Sequence, residues 1–221
     1  CGASAEAAFL PFGNVLAFTS ISITNDGQSI VLTDNNNNLI HKVIFTIDWY
    51  KNNNKKDGGW SLEMIDVNNP CGESENWIAS NHPSGGTPGS LNSVSKSNPD
   101  IVKPQLSRIS VESSSSIRVW FNETMDSLNL LNASAFKISN NINVVGQPRI
   151  VFPTYKSVIL DLDQALQKSI IYSLTVIDTL IDCVGNVLEI NSTAKFALAD
   201  SIHAGDIIIN EILSNPPTGA A

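Results

Sequence analysis

A chain of 221 residues, 42% hydrophobic and 15% charged, with a net charge of −8 and a pI of about 4.7, has apolar mass for one large core or two ordinary ones and is too apolar for disorder. That acidity opposes a phosphate backbone, whose binding needs Lys and Arg, so no nucleic-acid partner is expected. No apolar run reaches the roughly 18 residues of a membrane span, so no membrane insertion is expected either.

Taken in chain order, the elements alternate with period two. The chain opens "CGASAEAAF", without an initiator Met or a signal peptide, and so reads as cut at this end. In "LIHKVIFTIDWY" the apolar positions Leu39, Val43, Phe45, Ile47 and Trp49 share one face, with Lys42, Thr46 and Asp48 on the other. "SIRVWFN" groups Ile117, Val119 and Phe121. "SVILDLD" groups Val158, Leu160 and Leu162 against Asp161 and Asp163, and "IIYSLTVID" and "KFALAD" behave alike. The runs are short, rich in β-branched and aromatic residues, and separated by turn formers such as "TNDGQ", "KNNNKKDGG" and "CVGN". "TMDSLNLLNASAF" is the one helical stretch, at most a turn or two. The fold class is all-β: tandem Ig-like antiparallel sandwiches, the first one truncated. A polar, proline-bearing seam lacks periodicity and divides the chain. The expected order is a domain over 1–94, a linker over 95–103, a second domain over 104–199, and from 205 to 221 the first strand of a further domain.

The first segment ends in "DGGWSLEMIDVNNPCGESENWIASNHPSGGTPGSLNSV". Gly59, Ser61–Glu63, Asn76–Trp77, Gly85–Gly89 and Asn92–Ser93, with "FGNVLAFTSISITNDGQSIVLTD" upstream, resemble the C-terminal half of a bacterial lamin tail domain over about 8–94. The opening strands of that family, which carry an "INEI"-like stretch, stand instead at the end of the chain, as Ile209–Ile212 in "GDIIINEILSNPP". The resemblance implies a window cut from a longer tandem array. The middle segment resembles a surface-layer-type bacterial Ig-like domain through "KPQLSRISV", "IRVWFNETMD", "VILDLDQAL", "YSLTV" and "DCVGN", with F-x-E-x-M-D answered by D-x-x-G-N. It implies a non-catalytic spacer or adhesive module of an exported bacterial protein.

Candidate chemistry is sparse, and no catalytic residue, cofactor or metal ligand is assigned. His41 lies in the apolar register of its strand, as a half-buried, hydrogen-bonded sheet residue; His82 and His203 sit in loops. No nucleophile elbow, P-loop or zinc-protease motif occurs. "DNNNNLIHKVIF" from Asp34 fails as an EF-hand, with Leu39 where a Gly is needed and Phe45 where a bidentate Glu is needed. Glu123 with Asp126, or Asp161 with Asp163, offers oxygens for another kind of ion site, but alternation explains the latter pair as a solvated face. Glu63 and Glu211 read as buried hydrogen-bond acceptors. The sequons at Asn122, Asn132 and Asn191 matter only in a eukaryotic secretory pathway. Trp49, Trp60, Trp77 and Trp120 read as core or motif residues rather than a glycan platform.

Of the three cysteines, Cys71 and Cys183 fall in loops of different domains. They would be joined if the domains fold back on one another in an oxidising compartment, or would stay as two thiols, since connectivity is not written in sequence. Ile207, Ile208, Ile209, Ile212 and Leu213 are expected to form a strand docked on 1–94. The functional expectation is a structural or adhesive spacer of a large secreted or cell-surface bacterial protein. Its partners would be neighbouring domains of the same polypeptide and cell-envelope or glycan surfaces. The alternative is an accessory region of an exported hydrolase such as a nuclease or phosphatase.

Overall fold

The structure, a computed structural model, describes residues 3–20, 22–36, 39–200 and 205–211. Strict alternation in the second half produces two layers. β5 (Leu106–Ser113), β6 (Ser116–Phe121), β8 (Val144–Ile150) and β9 (Ser157–Leu162) form a four-stranded sheet in the order β5-β6-β9-β8. β7 (Phe136–Ile138), β10 (Ile171–Val176) and β11 (Thr193–Ala197) form a three-stranded sheet in the order β11-β10-β7. Every ladder is antiparallel. The inward residues of both sheets meet in one core, in which Ile117, Val119, Val158, Leu160, Leu174 and Val176 are completely buried. Burying each such side chain is worth about 1.5–3 kcal/mol, so this core is what holds the sandwich closed. The helical stretch resolves into two 3-10 turns, Asn129–Leu131 and Ala133–Ala135, the second capped by the Asn132 side chain.

The first half is thinner. β1 (Gly27–Thr33) and β2 (Leu39–Thr46) make a two-stranded ribbon, and β3 (Leu62–Met64) pairs with β4 (Trp77–Ala79) in another. The odd positions of β2 are half-buried, but Ile30, Leu32, Ile40 and Ile44 remain exposed. A two-stranded ribbon has no second layer to cover both of its faces. The alternation expected to run on to Trp49 stops at Thr46, and Ile47–Tyr50 is a 3-10 turn. The turn swings Trp49 inward, to 8% exposure, with its ring centroid 6.4 Å from that of Trp77. Gly85 has φ +87, and a Cβ there would run into the Gly59 carbonyl oxygen. The Gly85 carbonyl instead accepts from Ser61 N–H at 2.8 Å, which ties the "GGTPG" loop to the start of β3.

The connector contains neither helix nor strand, and among the described residues no sheet spans both halves. It is nevertheless bound to the first half. Lys96 N–H donates to Ile65 O at 3.0 Å, and Asn98 N–H donates to an Asp66 carboxylate oxygen at 2.8 Å. The terminal stretch departs from expectation. Over 205–211 there is no strand, and Ile207, Ile208 and Ile209 are 73–83% exposed. High β-propensity does not make a strand without a ladder partner. Ile212 and Leu213 lie outside the described residues.

Candidate functional site at the junction of the two halves

The two halves meet where β2 and the 69–76 loop face the 122–126, 154–156 and 182–186 turns. Side-chain braces shape each side. Asn76, fully buried, donates through Nδ2 to Asp66 O at 2.7 Å and Asn69 O at 2.6 Å, while its Oδ1 accepts from Asp66 N–H at 3.0 Å. This closes the loop that carries Cys71. Opposite it, Asp182 is 2% exposed, and its Oδ1 accepts from the N–H groups of Val184, Gly185 and Asn186 at 2.7–2.9 Å. One carboxylate thus satisfies three donors of a tight turn, the turn that carries Cys183.

Cys71 and Cys183 are joined in a disulfide with Cα atoms 6.4 Å apart, inside the range that such a bond spans. Around it, Lys156 Nζ lies 2.9 Å from Glu73 Oε2. Lys42 Nζ donates to Thr154 O and sits 5.2 Å from the centroid of the Tyr155 ring. Asn186 Nδ2 donates to Asp100 O at 3.2 Å. Burial lowers the Lys42 pKa to about 8; nearby Lys156 adds to the fall and Glu73 opposes it.

Carboxylates also gather here, though not in the expected pairs. Glu123 meets Asp100 and Asp182, with one oxygen from each within 4.8 Å of the others. Asp126 instead caps Asn129 N–H at 2.8 Å. Burial, followed by the closeness of Asp100 and Asp182, raises the Glu123 pKa to about 7. Three carboxylates at this spacing are a donor set of the type hard divalent cations take. However, both oxygens of Asp182 are already engaged by its own turn, through the three N–H groups and Asn186 Nδ2. That commitment favours a structural role.

The remaining expected residues scatter. Asp161 pairs with Arg149 at 2.7 Å, and Asp163 accepts from Asn143 N–H and Nδ2, so the two bind different partners. Asp34 accepts from Asn36 N–H in an exposed turn. His41 is half-buried as expected, but its Nε2 has no hydrogen-bond partner among the described residues. Glu63, 4% exposed, accepts from Thr87 Oγ1, Ser93 N–H and Ser93 Oγ at 2.7–2.8 Å. Burial pushes its carboxyl up, but the hydrogen bonds from Ser93, Thr87 and Ser80 outweigh burial and hold it below the usual range. Glu211 is exposed rather than buried, because the strand expected around it is absent. His203 lies outside the described residues. Of the sequons, Asn122 Oδ1 accepts from Gln105 N–H, Asn132 caps its 3-10 turn, and Asn191 is exposed. Trp49 is buried, while Trp60, Trp77 and Trp120 are half-buried.

One proximity was not foreseen: His82 Nδ1 lies 2.7 Å from Ser84 Oγ. Both residues are exposed. Ser84 N–H also donates to the ring at 3.3 Å, and Ser84 Oγ donates to Gly86 O at 3.0 Å. These bonds knit a turn and supply no oriented base with an oxyanion cradle. An open trough of about 1000 Å³ lies alongside, lined by Trp60, His82 and Glu63 among others, but the Glu63 oxygens are already occupied. No helix among the described residues is long and apolar enough to cross a membrane.

Two packed antiparallel sheets around one core define an all-β, Ig-like fold. Residues 95–197 match the family of bacterial Ig-like domains. Among solved structures, a crystal structure of the S-layer protein SbsC aligns at 18% identity, covering 46% of this chain and 14% of that one, with a TM-score of 0.41. The N-terminal part of the bacterial S-layer protein SbsC aligns at 18% identity over 43% of this chain and 23% of that one, with a TM-score of 0.39. The archaellum periplasmic stator complex of FlaF and FlaG from Sulfolobus acidocaldarius aligns at 14% identity, covering 48% of this chain and 99% of that one, with a TM-score of 0.24. No curated protein matches the chain.

Proposed function

We propose that this chain is a non-catalytic structural region of a large secreted or cell-surface bacterial protein, one that spaces and presents its neighbours and contacts envelope or glycan surfaces. The observation that carries the reading is the match of 95–197 to bacterial Ig-like domains, on a segment whose alternating residues close a complete sandwich core. The polar clusters support it, because the oxygens of Glu63 and Asp182 are spent on bracing backbone turns. In this reading residues 8–94 are a lamin-tail-like module and the stretch from 205 begins a further one. Neighbouring domains of the same polypeptide are then its first partners.

Antibodies raised against 95–197 should label intact cells of the encoding bacterium, or its culture medium. Labelling confined to lysed cells overturns the proposal. The purified chain should turn over no nuclease, phosphatase or glycosidase substrate, and turnover abolished by a single substitution in the chain would also overturn it.

A further inference from the structure

We propose that the Cys71–Cys183 bond is a mechanical bypass, which routes tension along the polypeptide around the connector and most of the Ig-like sandwich. The inference follows from chain order. The bonded cysteines are 112 positions apart in sequence, yet their Cα atoms are 6.4 Å apart. Between them lie β4, the connector and β5 to β10; β1 to β3 precede the bridged loop and β11 follows it. A pull applied at the two ends reaches Cys71, crosses the sulfur–sulfur bond to Cys183, and leaves through β11. While the bond is intact, the backbone between the two cysteines is not on the covalent path of the pull, and load reaches it only through its contacts with β3, β11 and the two bonded turns. Without the bond, the same pull enters the sandwich at β5 and leaves at β11, straight across the core.

The structure at the two bonded points fits this duty. Each cysteine sits in a turn braced by a buried polar side chain, Asn76 on one side and Asp182 on the other. Force arriving at either sulfur is therefore passed to several backbone groups. The non-covalent contacts across the junction are poor substitutes. The Lys156–Glu73 pair is partly exposed, at 29% and 47%, where water screens it. The proposal deepens the spacer role, since a spacer outside a cell is stretched by what it joins. Its physics concerns this chain alone, so the two can fail separately.

The test is single-molecule stretching of the full chain, held by tags at its two ends, with Cys1→Ser in every sample to leave one pair of thiols. The comparison is with the Cys71→Ser/Cys183→Ser double variant. A span of 112 residues extends to about 370–400 Å, so the disulfide-bonded protein should reach a total extension shorter than the variant by that amount. Dithiothreitol should abolish the difference by releasing the enclosed length in the bonded protein. Its two thiols supply two electrons and two protons to the cysteine sulfurs, and it leaves as its own cyclic disulfide. Total extension does not depend on folding, so a variant that fails to fold still gives the reference length. Equal extensions without reductant overturn the proposal, as does a disulfide-linked dimer on a non-reducing gel.

Discussion

Glu63 offers the sharpest quantitative test of how the first half is held. Its carboxylate accepts three hydrogen bonds from two loop residues, Thr87 and Ser93, and so ties β3 to the segment that leads into the connector. Hydrogen bonds to a charged group contribute about 1.5–3 kcal/mol each, but the two hydroxyl donors can turn towards other acceptors or water. Glu63→Ala should therefore cost about 3–5 kcal/mol, less than three full bonds. Glu63→Gln keeps one oxygen acceptor and the same shape, and should cost about 1–2 kcal/mol. The pH dependence has a definite sign. The folded-state pKa is lowered, so the stabilisation is fully present above the unfolded value near 4.3 and is lost as pH falls through the folded value. The gap between wild type and Glu63→Gln should be full at pH 7 and close progressively below about pH 4.3. Urea unfolding followed by tryptophan fluorescence reads it, in a Trp120→Phe background that leaves Trp49, Trp60 and Trp77 as reporters of the first half. A Glu63→Gln protein within about 0.5 kcal/mol of wild type at pH 7, or a gap unchanged down to pH 3, refutes the reasoning.

Leu160 is completely buried in the sandwich core. Leu160→Ala should cost about 2–5 kcal/mol, measured by urea unfolding through Trp120 on the neighbouring strand; a loss below about 1 kcal/mol would mean that the core is not closed as described. Glu123 should behave in the opposite sense to Glu63. Its folded-state pKa is raised to about 7, above the unfolded value, so folding is increasingly penalised as pH rises from about 4.3 to 7. Glu123→Gln should leave the melting temperature unchanged at pH 4 and raise it at pH 8. A difference that is constant across that range counts against the carboxylate cluster.

The sequence by itself determined what is local. Alternation with period two placed Ile117, Val119 and Phe121 on one face of β6 and Val158, Leu160 and Leu162 on one face of β9. Only half of a strand's side chains can face a core, so the pattern carries the all-β class and the sandwich interior with it. The same logic overreached at Ile47 and Trp49, which lie in a 3-10 turn with Trp49 buried, and at Ile207–Ile209, which stand exposed outside any strand. Propensity says that a segment would suit a sheet, and only a neighbouring strand satisfies its backbone. What spans the chain was left to tertiary structure. That Cys71 meets Cys183, and that Glu123 meets Asp100 and Asp182 rather than Asp126, depends on how the 182–186 turn folds back across the connector. No spacing along the chain encodes that return: the buried Asn76 and Asp182 shape only their own turns, and contacts such as Lys156 with Glu73 and Asn186 with Asp100 join residues far apart in sequence.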